Sequence, residues 1–192
     1  MEKKRRIGIF GGTFNPPHLG HLVLAREALE KLKLDKIIFI PSYLPPHKKI
    51  GKNNAYMRCR MVSLACKGNP AFKVSKIELE RKTVSYSVDT LKRLKRQYGK
   101  KAKLFFIIGS DSLYGLETWK HAKKLFTLTD FVVGERPGFP IRKTGRKIKV
   151  IKIPLLDISS SMLRSRVRRC LSIRYTVPER VRDFIERYGL YK

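Results

Sequence analysis

The chain has 192 residues, a formal net charge of +29 and 42% hydrophobic residues, which is the length of one α/β domain and enough apolar content to exclude a disordered chain despite the charge. No run approaches the roughly 20 apolar residues of a membrane helix, and the charged start leads only into Ile7 to Phe10 before Gly11 and Gly12, so neither a membrane partner nor a signal peptide is expected. Cys59, Cys66 and Cys170 form no CxxC pair, so neither a disulfide framework nor a thiolate zinc site is indicated, and a cytoplasmic location fits.

Arg6 to Phe10 predicts a short buried strand that ends at Gly11-Gly12, and Leu22, Ala25, Leu29 and Leu32 recur behind it at helical spacing. Ile37 to Ile40 predicts the next strand, bounded by Pro41. The stretch from Ser42 to Asn54, rich in Pro, Gly, Lys and Asn, predicts a long functional loop. Met57, Met61, Leu64 and Ala65 predict a second helix, and Phe72 to Ser75 a third strand. Val88, Leu91 and Leu94 predict a third helix with Asp89 near its positive end. Leu104 to Ile108 is the most apolar strand and ends at Gly109. Phe131 to Val133 and Ile148 to Ile151 predict two more strands, separated by a loop containing Arg136-Pro137-Gly138. Strands alternating with helices predict an α/β fold, a parallel sheet with helices on both faces. Ser159 to Leu171 predicts a serine-capped helix. Val177, Val181, Phe184 and Tyr188 predict another, with Pro178 at its first position and Gly189 past its end. With no repeat, low-complexity segment or linker, residues 1–192 are expected to form a single domain with a C-terminal helical subregion at about 158–192.

The segment richest in chemistry is Gly11-Gly12-Thr13-Phe14-Asn15-Pro16-Pro17-His18-Leu19-Gly20-His21, between the first strand and the first helix. It matches neither GxxxxGK[ST] nor GxGxxG, yet its physics favours phosphate. Glycines let backbone N–H groups approach an anion, and the following helix turns its positive end to the same place. His18 and His21, three apart, share a helical face in its first turn. Two histidines without an HExxH pattern or further ligands do not make a zinc site, and no protein-held metal is expected.

With its HxGH signature after a GGTF turn, the chain resembles the nucleotidyltransferase superfamily, and nearly all of it, from Ile7 to Tyr191, is similar to the bacterial nicotinate-nucleotide adenylyltransferases. The motifs that carry the resemblance occur in order: GGTFNPPHLGH at 11–21, PSYLPPHK at 41–48, SYSVDTL at 85–91, IIGSDSL through Trp119 at 107–119, ERPGF at 135–139 and ISSSMLRSR at 158–166. The resemblance implies a Rossmann-like nucleotidyltransferase domain and transfer of AMP from ATP to nicotinate mononucleotide, giving deamido-NAD and pyrophosphate with a divalent cation, usually magnesium.

By the same resemblance His18 and His21 are the catalytic pair, donating hydrogen bonds to the ATP phosphates, with the amides of Thr13 and Phe14 beside Gly11 and Gly12 completing the cradle. Ser160, Ser161 and Arg164 hold the β- and γ-phosphates, although serines before a helix also serve as N-caps. Asp111, just beyond Gly109 at a strand end, lies near the ATP ribose; on physical grounds alone it would cap the following helix. His47 and Lys48 take the phosphate of the mononucleotide, Trp119 stacks on the pyridine ring, and Ser85, Tyr86 and Ser87 offer donors to the nicotinate carboxylate. Ser87 stands where threonine is commoner in the family, and Asn15 where aspartate is frequent. Arg166 to Arg169 read as a solvated basic face.

Three alternatives compete. A sibling enzyme with the same HxGH machinery would use nicotinamide mononucleotide, phosphopantetheine or another phosphate acceptor. PPHK, SYSVDT and the spacing from GSDSL to Trp119 favour the nicotinate branch, and phosphopantetheine enzymes usually carry threonine in place of His18. A non-enzymatic RNA-binding protein would account for the charge, but the charge is spread evenly, 22 basic and 7 acidic side chains in residues 1–96 against 22 and 8 in 97–192. The aromatics Phe10, Phe39, Phe105, Phe106 and Phe131 fall in apolar runs rather than in a basic stripe. A shortened synthetase-like protein would need a KMSKS-type loop, which is absent. No specific nucleic-acid partner is therefore expected, while a homo-oligomer is compatible with the sequence. The single glutamine and four asparagines beside abundant Lys and Arg point to a heat-adapted source.

Overall fold

The computed structural model describes residues 4–46, 50, 54–135, 138–141, 148–154 and 156–192. Its strands are β1 (Arg5–Gly12), β2 (Lys36–Pro41), β3 (Phe72–Val74), β4 (Ala102–Gly109), β5 (Asp130–Gly134) and β6 (Ile148–Ile151). They form one sheet in the order β3-β2-β1-β4-β5-β6, with every pairing parallel. The chain runs outward from β1 to β3, then returns to β4 on the other side of β1 and runs outward again. The β1/β4 junction is thus a topological switch point, where the connections leave a crevice at the carboxyl ends of the strands.

The period-two alternation of β1 and β4 divides the core into two layers. Ile7, Ile9, Leu104 and Phe106 face one side, against Val88, Leu91 and Leu94 of α4 (Ser87–Tyr98) and Leu125 of α6 (Ala122–Leu128). Phe10, Phe105 and Ile107 face the other, against Leu24, Ala25 and Ala28 of α1 (Leu19–Lys31) and Val62 and Cys66 of α2 (Asn54–Cys66). Helices on both faces of a parallel sheet are what the alternating sequence pattern requires, and the result is a Rossmann-like α/β fold. Gly134 lets α1 come close to the sheet, since a Cβ there would lie 2.3 Å from Leu24 Cδ1.

The C-terminal helices α7 (Ser160–Arg168) and α8 (Glu179–Arg187) build a third cluster. Leu163, Val181 and Ile185 pack with Ile158, Ile173 and Val177 onto Met61 and Ala65 of α2. No helix among the described residues is long and apolar enough to cross a membrane.

Three local differences from the sequence expectations have physical causes. β1 does not stop before the glycine pair but runs through it, because Gly11 and Gly12 stay in register with Ile40 and Pro41. Pro178 is the N-cap of α8 rather than its first residue. Three helices were not delineated by the pattern, α3 (Ile77–Arg81), α5 (Ser110–Tyr114) and α6, since five to seven residues are too few to show a helical period.

Candidate functional site

The turn after β1 begins the site. Phe14 takes a left-handed backbone, φ 49°, and its buried ring packs edge-on against Phe10 at 5.5 Å between centroids and against the His21 ring at 5.0 Å. His18 is the N-cap of α1, with extended φ −145° and ψ 171°, so it sits just before the helix rather than on its face. Its backbone N–H donates to His21 Nδ1 at 3.2 Å, so neutral His21 carries its proton on Nε2. The two imidazoles lie 3.7 Å apart between centroids. A Cβ on Gly20, between them, would sit 3.1 Å from His18 Nδ1 and press on that imidazole.

These residues open onto a cavity of about 620 Å³ at the carboxyl ends of β1 and β4. Gly11, Gly12, Thr13, Phe14, His18 and His21 line one side. Gly109 and Asp111 line it from the β4 end, and Ser160, Ser161 and Arg164 from α7. The structure therefore gathers every residue expected to touch ATP into one cavity. Asp111 is not the helix cap that physical grounds alone suggested, because the N-cap of α5 is Gly109 and Asp111 lies within the helix's first turn.

Contacts across the cavity lock α7 to the β1–α1 turn. Ser160 Oγ donates to the Pro16 carbonyl at 2.8 Å. Arg164 donates to the Asn15 carbonyl at 2.8 Å and to Ser161 Oγ at 3.2 Å. The cap of α7 is Ser159, whose Oγ accepts from the Met162 N–H at 3.1 Å, so Ser160 and Ser161 are not the caps that sequence reasoning allowed. Tyr191, near the chain's end, donates from its hydroxyl to Asn15 Oδ1 at 2.7 Å, and burial pushes its phenol pKa well above the ordinary value.

A second cavity, of about 210 Å³, shares Gly11, Gly12, Thr13, Ser112 and Trp119 with the first. Ser85, Tyr86 and Ser87 line it, as do Pro45 and Pro46 of the loop after β2. His47, Lys48 and the Arg136-Pro137 pair lie outside the described residues. Trp119 stands at the junction of both cavities, half-buried and edge-on to Phe106 at 6.2 Å, rather than sealed in the core.

Ser85 is buried, and its Oγ accepts from the Tyr43 N–H at 2.9 Å, while its nearness to the Glu78 carboxyl pulls that group's pKa down. Thr90 Oγ1 donates to the same carboxyl at 2.6 Å. Ser85 therefore braces the wall of the cavity that it lines. Glu78 is itself buried, and burial pushes its pKa up against the opposing pull of these hydroxyls.

Sequence reasoning missed Arg58, Glu78, Lys120 and Tyr191. Arg58 is fully buried and donates to the carbonyls of Thr13 at 2.7 Å, Ser42 at 2.6 Å and Tyr43 at 3.1 Å. It ties the loop lining the large cavity to the loop lining the small one. Nothing local separates it from Arg60 two positions on; only the tertiary contacts do. Among the described residues no group of three or more His, Cys, Asp or Glu could hold a metal ion.

A doubly wound parallel sheet with paired histidines at the first strand–helix turn and a polar cavity at the switch point is the architecture of a nucleotidyltransferase, and residues 9–166 match the cytidylyltransferase-like family. A probable nicotinate-nucleotide adenylyltransferase of Exiguobacterium sibiricum is 46% identical over 97% of this chain and 98% of its own. The nicotinate-nucleotide adenylyltransferase of Bacillus subtilis is 39% identical over 98% and 99%. The solved structure of the Plasmodium falciparum nicotinic acid mononucleotide adenylyltransferase complexed with NaAD superposes with a TM-score of 0.81 at 24% identity, over 97% of each chain, a likeness of fold. The chain belongs to the cytidylyltransferase-like family and, within it, to the nicotinate-nucleotide adenylyltransferases.

Proposed function

We propose that the chain transfers the adenylyl group of ATP to nicotinate mononucleotide, releasing pyrophosphate and forming deamido-NAD for NAD synthesis. The observation that carries this reading is the pair of adjoining cavities that share Gly11 to Thr13 and Trp119, one lined by His18 and His21 and the other by Tyr86 and Trp119. Such a pair suits two nucleotides meeting phosphate to phosphate.

In this reading a phosphate oxygen of the mononucleotide attacks the α-phosphorus of ATP. A new P–O bond forms as the bond to the bridging oxygen breaks, and pyrophosphate carries away that electron pair. The nucleophile is already an anion, so the residues contribute position and charge stabilisation rather than a strong base. His21, with its proton on Nε2, donates to the α-phosphate as charge builds, and His18 to the neighbouring phosphates. The backbone of Gly11 to Phe14 cradles them, and Ser160, Ser161 and Arg164 receive the β- and γ-phosphates. Gly109 and Asp111 face the ATP ribose. On the acceptor side, the Trp119 ring covers the pyridine, Ser85, Tyr86 and Ser87 lie beside its carboxylate, and His47 and Lys48 take the phosphate.

Magnesium would enter on the ATP phosphates and offset their charge. The large cavity's described lining offers the carboxylates of Asp111 and Glu135, and one or two protein carboxylates suit an ion held mainly by phosphates and water. A cytoplasmic location and a homo-oligomer remain parts of the proposal.

The test is transfer of label. With ATP labelled at the α-phosphate and nicotinate mononucleotide, the label should move into deamido-NAD with one pyrophosphate released per turnover. Release of labelled AMP alone, or no turnover, would overturn the reading.

A further inference from the structure

We propose that Lys120 is the residue by which the smaller cavity selects an acceptor with an anionic ring substituent over one with a neutral substituent. The inference rests on the reading of the acceptor as nicotinate mononucleotide and adds the residue that discriminates it.

Lys120 follows Trp119 directly, and both line the smaller cavity. Its ammonium is held from two sides, 4.4 Å from the centroid of the Tyr86 ring and 3.9 Å from Asp89 Oδ2. Cation–π attraction and the ion pair together limit an otherwise flexible side chain to the region beside Tyr86. A planar ring entering between Trp119 and Tyr86 would thus bring its substituent into the range of a positioned positive charge.

The charges around the cavity make this cation decisive. Besides the Tyr86 phenol, the ionisable side chains among its described lining are Glu78 and Lys120. Glu78 is buried and accepts from Thr90 Oγ1, and its burial disfavours the charged form. Lys120 is the one cation among these lining groups. Ser85 is neutral, and its Oγ accepts from the Tyr43 N–H. Asp89 does oppose Lys120, but its side chain is about as exposed as that of the lysine, 36% against 44%. An exposed pair of this kind is held weakly, so a ligand carboxylate can share the ammonium without stranding a buried charge. An amide in the same place offers a carbonyl dipole but no charge.

The measurement is kcat/KM for nicotinate mononucleotide and for its amide analogue, at saturating ATP, in the wild type and in Lys120→Met and Lys120→Arg. Methionine keeps the length and apolar stem of lysine and removes the charge. For Lys120→Met we expect the carboxylate acceptor to lose about 5- to 20-fold, mainly through KM, while the amide acceptor changes by less than about 2-fold. Lys120→Arg should restore most of the preference. Raising salt from about 50 to 500 mM should narrow the wild-type preference and leave that of Lys120→Met unchanged.

Equal losses with both acceptors would assign Lys120 a structural role only, and an unchanged ratio in folded Lys120→Met would remove it from selection. Either result overturns the proposal while leaving adenylyl transfer intact. Wild-type protein that turns over neither acceptor would overturn the functional reading itself, and the proposal with it.

Discussion

Arg58 donates to the Thr13 carbonyl at 2.7 Å from a side chain with no solvent exposure, and the same guanidinium holds the carbonyls of Ser42 and Tyr43. One residue of α2 therefore clamps the two candidate substrate loops, beside the backbone bond from the Ser42 N–H to the Gly12 carbonyl at 2.9 Å. Arg58→Met would leave three carbonyls without this donor and should lower stability by at least about 2 kcal/mol. The check is the urea midpoint, which should fall with the slope unchanged. Arg58→Lys, a point charge unable to span all three oxygens, should recover only part. An unchanged midpoint for Arg58→Met would remove the clamp from the account.

Gly20→Ala separates stability from activity. Alanine is ordinarily favoured over glycine inside a helix by about 1 kcal/mol, yet a Cβ here meets His18 Nδ1 at 3.1 Å. The variant should melt at or above the wild-type temperature while kcat falls by about tenfold or more as the imidazole is displaced. A folded Gly20→Ala with full activity would show that the position of His18 is uncritical.

His21→Ala should reduce kcat by about 100-fold or more and change ATP affinity far less, because its donor acts on charge that grows in the transition state. Steady-state kinetics beside equilibrium binding of a non-hydrolysable ATP analogue would separate the two. Parallel losses in affinity and turnover would place His21 in ground-state binding instead.

Glu78 predicts a pH dependence of stability. Burial raises its carboxyl above the ordinary 4.5, so between 4.5 and the folded value the folded chain holds this proton and the unfolded chain does not. Stability from this group is complete below 4.5 and declines as pH rises through the folded value. Glu78→Gln cannot titrate, so its unfolding free energy relative to wild type should rise with pH over that window and level off above it. Chemical denaturation across a pH series would measure this, and a flat or falling difference would contradict the assignment.

What the sequence revealed and concealed follows from the range of each interaction. The turn from Gly11 to His21 was legible because its parts are contiguous: a glycine pair leaving a strand, two histidines three apart, and a helix to follow. The sheet was legible because strand and helix periods alternate along the chain. Ser85 read as a ligand donor, and the Tyr43 N–H that its Oγ accepts from, 42 positions away, becomes visible only when the loops after β2 and before α4 meet. Tyr191 meets Asn15 across 176 positions, a contact no local pattern encodes. His18 as an N-cap was also hidden, since Ser, Thr, Asp and Asn usually fill that position.

The most direct test of adenylyl transfer to nicotinate mononucleotide is kcat/KM across a panel of acceptors at saturating ATP and matched magnesium, with product identified by mass. A carboxylate accepts hydrogen bonds only, so backbone donors near the start of α4 and a nearby cation favour it over an amide. Losing one or two charge-assisted contacts implies about 10- to 10⁴-fold discrimination. The account predicts deamido-NAD as the product and nicotinate mononucleotide as the preferred acceptor within that range. Equal use of nicotinamide mononucleotide, or preference for it or for phosphopantetheine, would contradict it.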